Sequence, residues 1–202
     1  MTKYFCICLI FLSSCSLVEF KDVPAVARSL IYGPPEIEVT MSSYEKAPYS
    51  FAKINIGRSG SGLMILLSIN NNVYEWVGSN GEVIFTNNGK IIRTIGLEYD
   101  INILNPKINF LNCGECSSQY FIELSNPKAL INQNSFFKNS HKEKIELIKK
   151  IDATVMIENF STSKFKWTGK NIYWFDDSGQ VIKSNQQIHP RLGEIEITFY
   201  YK

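Results

Sequence analysis

The sequence predicts a mostly β protein, an antiparallel meander with one or two short helices. Three observations carry this reading. Apolar residues alternate with period 2 through most of the chain beyond residue 36. Asn-Gly and Asp-x-x-Gly turn signals separate these runs at short intervals. Neither a βαβ alternation nor a glycine-rich nucleotide loop occurs.

Taken in order, Val23–Gly33 (VPAVARSLIYG) suits a short helix, with Pro24 in its first turn, Gly33 at its end and Pro34-Pro35 barring continuation. Residues 36–41 (EIEVTM) alternate as a strand does. Four apolar runs then follow closely: 62–69 (GLMILLSI), 73–77 (VYEWV), 82–86 (EVIFT) and 90–95 (KIIRTI). Gly78-Ser79-Asn80-Gly81 and Asn87-Asn88-Gly89 separate the last three. Asn-Gly between extended runs is a strong hairpin signal, because both central residues of a type I′ turn need positive φ. Residues 62–95 are therefore expected to form a meander in which each strand pairs with its sequence neighbour. A second hairpin is expected from 171–175, the turn Asp176-Asp177-Ser178-Gly179 and 180–184, and a last strand over 193–201. One helix is predicted to interrupt. Ser140 and Glu143 form a capping box ahead of an apolar stripe, Ile145, Leu147, Ile148 and Ile151, which could cover a sheet.

The N-terminus has the parts of a secretory leader. Lys3 supplies a positive charge, and Tyr4 to Leu12 is an unbroken apolar or aromatic run, shorter than the about 20 residues needed to cross a bilayer. Leu12-Ser13-Ser14-Cys15 resembles the lipobox of bacterial lipoprotein signals, in which the cysteine thiol is acylated and the leader is cut before it. A plain signal peptide with a chance cysteine is the alternative. On the lipoprotein reading, residues 1–14 are the leader, 15–22 the lipidated N-terminus and linker, and 23–202 one β-rich domain. Two or three acyl chains, at about 0.8 kcal/mol per buried methylene, anchor a protein durably without a spanning segment. The absence of Asp at position 16 leans towards the outer membrane.

Charge is nearly balanced, with 21 basic and 19 acidic residues and no basic block, which argues against a nucleic-acid partner. With Cys15 acylated and Cys6 and Cys8 lost with the leader, Cys113 and Cys116 remain. Three readings of Cys113-Gly114-Glu115-Cys116 compete: a disulfide closing a tight turn between two strands, idle thiols, and a redox or metal site. A redox pair would need to open a helix after a strand, whereas both flanks look extended. A zinc site would need two further ligands, and the two histidines, His141 and His189, are remote in sequence from the pair and from each other. The disulfide is the favoured reading.

The stretch 74–101 (YEWVGSNGEVIFTNNGKIIRTIGLEYDI) resembles the core signature of the YjbF/GfcB-type capsule and exopolysaccharide lipoproteins. The residues that carry the resemblance are Trp76, Thr86, Gly89, Ile91, Thr94, Gly96, Leu97 and Asp100, with Lys90 where the family usually has Arg. Residues 172–199 resemble the family's ending, with a D-x-x-G turn, Gln186 or Gln187, and Pro190 before the last strand. Residues 102–170 depart from the pattern. The resemblance implies a strongly curved open sheet, a half-barrel, on a periplasm-facing lipoprotein that assists polysaccharide assembly or export. It brings no catalytic residues.

Site candidates are correspondingly few. Trp76, Trp167 and Trp174 could stack on sugar rings, but a tryptophan in a strand more often fills a core. Trp167, between Lys166 and Thr168, is the one expected to be exposed and is the possible glycan contact. Asp176 and Asp177 suit a turn better than a glycosidase carboxylate pair. Arg93 is expected to pair with Glu75 or Glu82 or to face solvent, and His189 to lie in a loop. No cofactor or metal is expected. The function expected is a non-enzymatic outer-membrane lipoprotein, partnered by the membrane through its anchor and by a glycan or the polysaccharide export machinery. The alternatives are a lipid or lipoprotein carrier using an apolar concave sheet and, below it, an envelope glycan-modifying enzyme.

Overall fold

The computed structural model describes residues 36–106 and 114–202, and these form one unit. The helix expected over Val23–Gly33, the leader and Cys15 lie outside the described residues. Among the described residues are one short helix, α1 (Met41–Lys46), and twelve strands: β1 (Phe51–Ile56), β2 (Gly62–Asn70), β3 (Val73–Gly78), β4 (Val83–Asn87), β5 (Lys90–Ile95), β6 (Ile101–Ile103), β7 (Glu115–Ser125), β8 (Lys128–Glu146), β9 (Lys150–Thr162), β10 (Thr168–Phe175), β11 (Val181–Gln186) and β12 (Ile195–Tyr200).

Each strand pairs antiparallel with its sequence neighbours, and β1 pairs with β12, so the sheet is a closed barrel and not the open half-barrel expected. The closing register runs from Phe51 opposite Tyr200 to Ile56 opposite Ile195. Both strands carry apolar residues on their inner faces, Ala52 and Ile54 against Ile195, Ile197 and Phe199, all buried. Leaving this seam open would expose those side chains together with two rows of unpaired backbone groups.

The expected meander over 62–95 is present as β2 to β5. Its tight turns have the backbone the sequence demands: Asn71 and Asn72 at φ 50° and 63°, Asn88 and Gly89 at 48° and 75°. The second hairpin, β10–β11, is also present. In its turn Asp176 Oδ1 accepts from the Ser178 and Gln180 amides, each at 2.9 Å, and from the Ser178 hydroxyl at 2.6 Å.

Two local expectations are corrected. Residues 140–151 are not helical but belong to the long β8–β9 hairpin, with Ile145 opposite Ile151 and Glu143 opposite Ala153. Cross-strand pairing along the whole of β9 outweighs a four-residue capping pattern. Residues 36–40 are not a strand, and the capping box that does form uses Thr40 and Ser43 to start α1. The Tyr44 hydroxyl fastens this helix to the barrel by donating to the Tyr201 carbonyl at 2.7 Å.

The apolar core lies inside the barrel. Trp76, Ile84, Ile91, Tyr120, Ile131, Phe137, Tyr173, Ile195 and Ile197 are each almost fully buried, in the close packing of a protein core.

Candidate functional site

Six polar side chains, Lys90, Gln133, Ser135, Glu158, Asn171 and Tyr173, break the apolar interior and converge on one point, with the Gln133 amide donating to Ser135 at 3.0 Å and to Glu158 at 3.4 Å. Lys90 follows the β4–β5 turn and points inward, 3% exposed; Glu158 in β9 is 0% exposed. The Lys90 ammonium lies 2.8 Å from each Glu158 carboxylate oxygen. One of those oxygens also accepts from the Ser135 hydroxyl at 2.6 Å, the other from the Asn171 amide at 2.9 Å and the Tyr173 hydroxyl at 2.7 Å. Lys90 Nζ stands 5.1 Å from the centre of the Tyr120 ring, close enough for a cation–π contact. Burial by itself would raise the Glu158 carboxyl, but the Lys90 ammonium and the hydrogen bonds from Lys90, Ser135 and Asn171 outweigh it and hold the group below the usual range. Burial and the Glu158 charge push the Tyr173 phenol well up, and burial takes the Tyr120 phenol up to about 12.

Gln186 in β11 completes the arrangement from across the barrel. Its amide nitrogen donates to the Gly89 carbonyl at 2.8 Å, and its oxygen accepts from the Ile91 amide at 2.9 Å. Gly89 lies against Val181, where a Cβ would collide with the valine side chain. The β4–β5 turn is therefore clamped onto β11 from the inside. Gln186, not Gln187, performs this role, since the Gln187 side chain bonds Glu194 instead.

The other signature residues are equally structural. Thr86 Oγ1 accepts from the Trp76 indole at 2.9 Å. Thr94 donates to Asp100 Oδ1 at 2.8 Å, and Asp100 also accepts from the Gly96 and Leu97 amides at 3.0 and 3.1 Å. Asp100 thus folds the β5–β6 loop back on its own strand. A buried ion pair surrounded by donors on a packed interior is a fold device with no opening to a substrate.

The accessible polar surface lies on the outer wall. Across β7, β8 and β9 the register aligns two outward rows: Ser117, Phe136 and Asn159 in one, Gln119, Asn134 and Ser161 in the other. All six side chains are exposed, while Ser135 and Phe160 between the rows point inward and are buried. The rows bound a shallow transverse groove of about 500 Å³. Gln119 donates to Asn134 at 3.2 Å across its floor. Such a surface offers amide and hydroxyl groups together with one aromatic face, that of Phe136.

The other sequence candidates are dispersed. Trp76 is buried, whereas Trp167 and Trp174 are half-buried. Trp167 sits in the β9–β10 turn with its ring edge-on to Phe160, centroids 4.7 Å apart. Cys116 is disulfide-bonded at the start of β7, and its partner, like Cys113, lies outside the described residues. Arg93 faces solvent with its guanidinium over the Phe85 ring, and Glu75 and Glu82 bond Ser68 and Asn80 instead. His189 is in a loop, yet 1% exposed and stacked on Tyr99 at 4.8 Å. Among the described residues no cluster of three or more His, Cys, Asp or Glu side chains could hold a metal ion, and no helix is long and apolar enough to cross a membrane. Sequence reasoning missed Glu158. An acidic residue in inward register between Met156 and Phe160 was the signal that could have found it.

Residues 25–200 match the model of the family described as group 4 capsule polysaccharide lipoprotein gfcB, YjbF. The chain belongs to this family. Membership in the GfcB/YjbF family associates the protein with capsule polysaccharide and with the envelope lipoproteins. The crystal structure of the hypothetical lipoprotein YmcC from Escherichia coli (K12) is similar, with a TM-score of 0.72 at 18% identity over 93% of this chain and 98% of that one, a likeness of fold. A putative lipoprotein from Parabacteroides distasonis ATCC 8503 matches at a TM-score of 0.38 and 10% identity, over 77% of this chain and 95% of that one. No curated protein matches the chain.

Proposed function

We propose that the protein is a non-enzymatic lipoprotein of capsule or exopolysaccharide assembly and export. Acyl chains on Cys15 hold it on the periplasm-facing side of the outer membrane, and its outer barrel wall binds the glycan or an export partner that carries it. The single observation behind the binding site is the transverse groove over β7–β9, about 500 Å³ and walled by Asn, Gln and Ser side chains. Sugar hydroxyls suit those amides, and the exposed face of Phe136 suits the apolar CH face of a pyranose. Trp167, expected to be exposed, is half-buried and packs edge-on against the inward Phe160, so the glycan contact is assigned to the groove and not to Trp167. The buried rings of Tyr120, Phe137 and Tyr173 argue against a carrier that takes its cargo into the middle of the barrel. The Asp176 turn bonds argue against a carboxylate pair at that position. Cys116 pairs with Cys113 in this reading, closing the turn that leads into β7.

The binding test is calorimetric titration of oligosaccharides released from the producing cell's own exopolysaccharide against the wild type and the Asn134→Ala, Phe136→Ala double variant. A loss of affinity of at least tenfold with an unchanged unfolding midpoint is expected, since both side chains are exposed. Equal affinity in the two proteins refutes the groove. Anchoring is tested separately by mass spectrometry of protein extracted from native membranes, where an unmodified Cys15 or a retained leader refutes it.

A further inference from the structure

One end of the barrel is apolar on both faces of its wall. There the loops after β1, β3, β5 and β11 surround an open cavity of about 720 Å³. Its apolar lining is aliphatic, including Ile56, Met64, Ile84 and Leu97, with no aromatic ring; Asn80, Glu82, Glu98 and three serines supply its polar lining. Outside the wall at the same end, strand register sets Ile65, Val77, Val83 and Ile95 in one outward row across β2 to β5. The row continues to Phe51 and Tyr200, but those two are buried and in ring contact with Tyr44 of α1. Leu63, Ile65 and Ile95 remain 43, 41 and 40% exposed. Leu63 belongs to both surfaces, since it also lines the cavity.

The N-terminal tether joins the barrel at this face. The Glu36 carboxylate lies 2.5 Å from Lys53 Nζ, and Lys53 is the register partner of Leu63. The Ile37 amide donates to the Ser61 hydroxyl at the cavity's edge. The chain arriving from Cys15 therefore joins the barrel beside the apolar face, and the stretch from Cys15 to Glu36 spans at most about 70–75 Å when extended.

We infer that this end of the barrel docks on a phospholipid bilayer, with a lipid acyl chain in the aliphatic mouth and Leu63, Ile65 and Ile95 in the interfacial layer. The choice of bilayer rests on the anchoring proposed for Cys15. The aliphatic lining matches a hydrocarbon chain, and the polar lining suits headgroups. An anchored protein is held within reach of the surface, so even a modest apolar face orients it and turns the glycan groove in a defined direction.

The test uses the mature polypeptide made without leader or lipid, residues 16–202, so that no covalent acyl chain contributes. Its partition onto phosphatidylcholine vesicles is measured by co-flotation; the neutral lipid removes charge attraction. The wild type is expected to bind, and Leu63→Asp with Ile65→Asp to lower the partition coefficient at least tenfold while circular dichroism stays unchanged. Leu130→Asp, at a 53% exposed site on β8, is expected to leave binding unaltered. The inference is overturned if the wild type does not bind, if the double variant binds equally, or if Leu130→Asp reduces binding as much. It is also overturned if ultracentrifugation shows that the Leu63 face joins two copies in the absence of vesicles. Because this protein carries no lipid, an unmodified Cys15 in cells would refute the anchor and leave the vesicle result standing.

Discussion

Replacing Lys90 with Met should be the most damaging single change in the interior, and its cost should depend on pH in the opposite sense to the wild type. The substitution preserves an unbranched apolar stem but removes the ammonium 2.8 Å from both oxygens of a fully buried carboxylate. Glu158 keeps its hydrogen bonds from Ser135, Asn171 and Tyr173 but loses its counter-charge. Breaking a buried pair from one side costs about 3–5 kcal/mol, which for a chain of this size is a fall in Tm of roughly 6–20 °C. Adding Glu158→Gln removes the stranded charge and keeps one acceptor oxygen, while the Ser135 or Tyr173 hydroxyl can turn to accept from the new amide NH2, so the double variant should recover most of that loss, to within about 2 kcal/mol of the wild type. In the wild type the Glu158 carboxyl is held low, so its stabilisation is present above the unfolded value near 4.3 and is lost as pH falls through the folded value. In Lys90→Met burial prevails and the folded value rises, so acidification from pH 8 to pH 5 should stabilise the variant. Urea unfolding followed by tryptophan fluorescence at both pH values measures all three proteins. A Lys90→Met cost under about 1 kcal/mol, a double variant as weak as the single, or a change from pH 8 to pH 5 no more favourable in Lys90→Met than in the wild type would refute the reasoning.

Three further outcomes follow from neighbouring features. Gly89→Ala should cost about 2 kcal/mol or more, because the residue sits at φ 75° and an added Cβ meets Val181; equilibrium unfolding checks this. Gln186→Leu removes the bonds to the Gly89 carbonyl and the Ile91 amide, leaving buried backbone groups unpaired at about 1–3 kcal/mol; hydrogen exchange at Ile91 should accelerate before that of β12 amides. His189 is held below its ordinary value by burial and by Arg191, so its neutral form stabilises the fold above pH 6.5 and that contribution fades as pH falls through the folded value. His189→Phe keeps the stack on Tyr99 and should narrow the difference in stability between pH 7.5 and pH 5.5; an unchanged difference would exclude His189 as its source.

The short hairpins were legible because each is encoded within a few residues: Asn88-Gly89 and Asp176 to Gly179 name their own turns, and period-2 runs flank them. The closure was not legible, because the pairing of Phe51 with Tyr200 joins the two ends of the barrel and no local pattern reports a partner that distant. The segment 140–151 failed for a related reason. Ile145, Leu147 and Ile151 satisfy strand spacing as well as helical spacing, and the deciding interaction is pairing with Lys150–Thr162. The converse error fell on Thr40, whose side chain accepts from Ser43 to start a helix in a stretch whose alternation looked extended. The Lys90–Glu158 pair spans 68 positions, so the inward register of Glu158 could flag a buried acid without naming its partner.

The signature residues brace the barrel from within, away from the β1–β12 seam. Gly89 permits the turn, Lys90 neutralises the one acid on β9 that faces the packed interior, Thr94 and Asp100 fold the β5–β6 loop, and Gln186 ties β5 to β11 across the barrel. None of these residues lies in the outer groove or on the outer apolar row. The exposed side chains proposed to meet glycan and lipid, Asn134 and Phe136 in the groove and Leu63, Ile65 and Ile95 on the apolar row, lie outside the buried core. That separation makes the surface substitutions informative: Phe136→Ala or Leu63→Asp should change binding at constant stability, whereas Lys90→Met should change stability first and binding only by unfolding the wall that carries the groove.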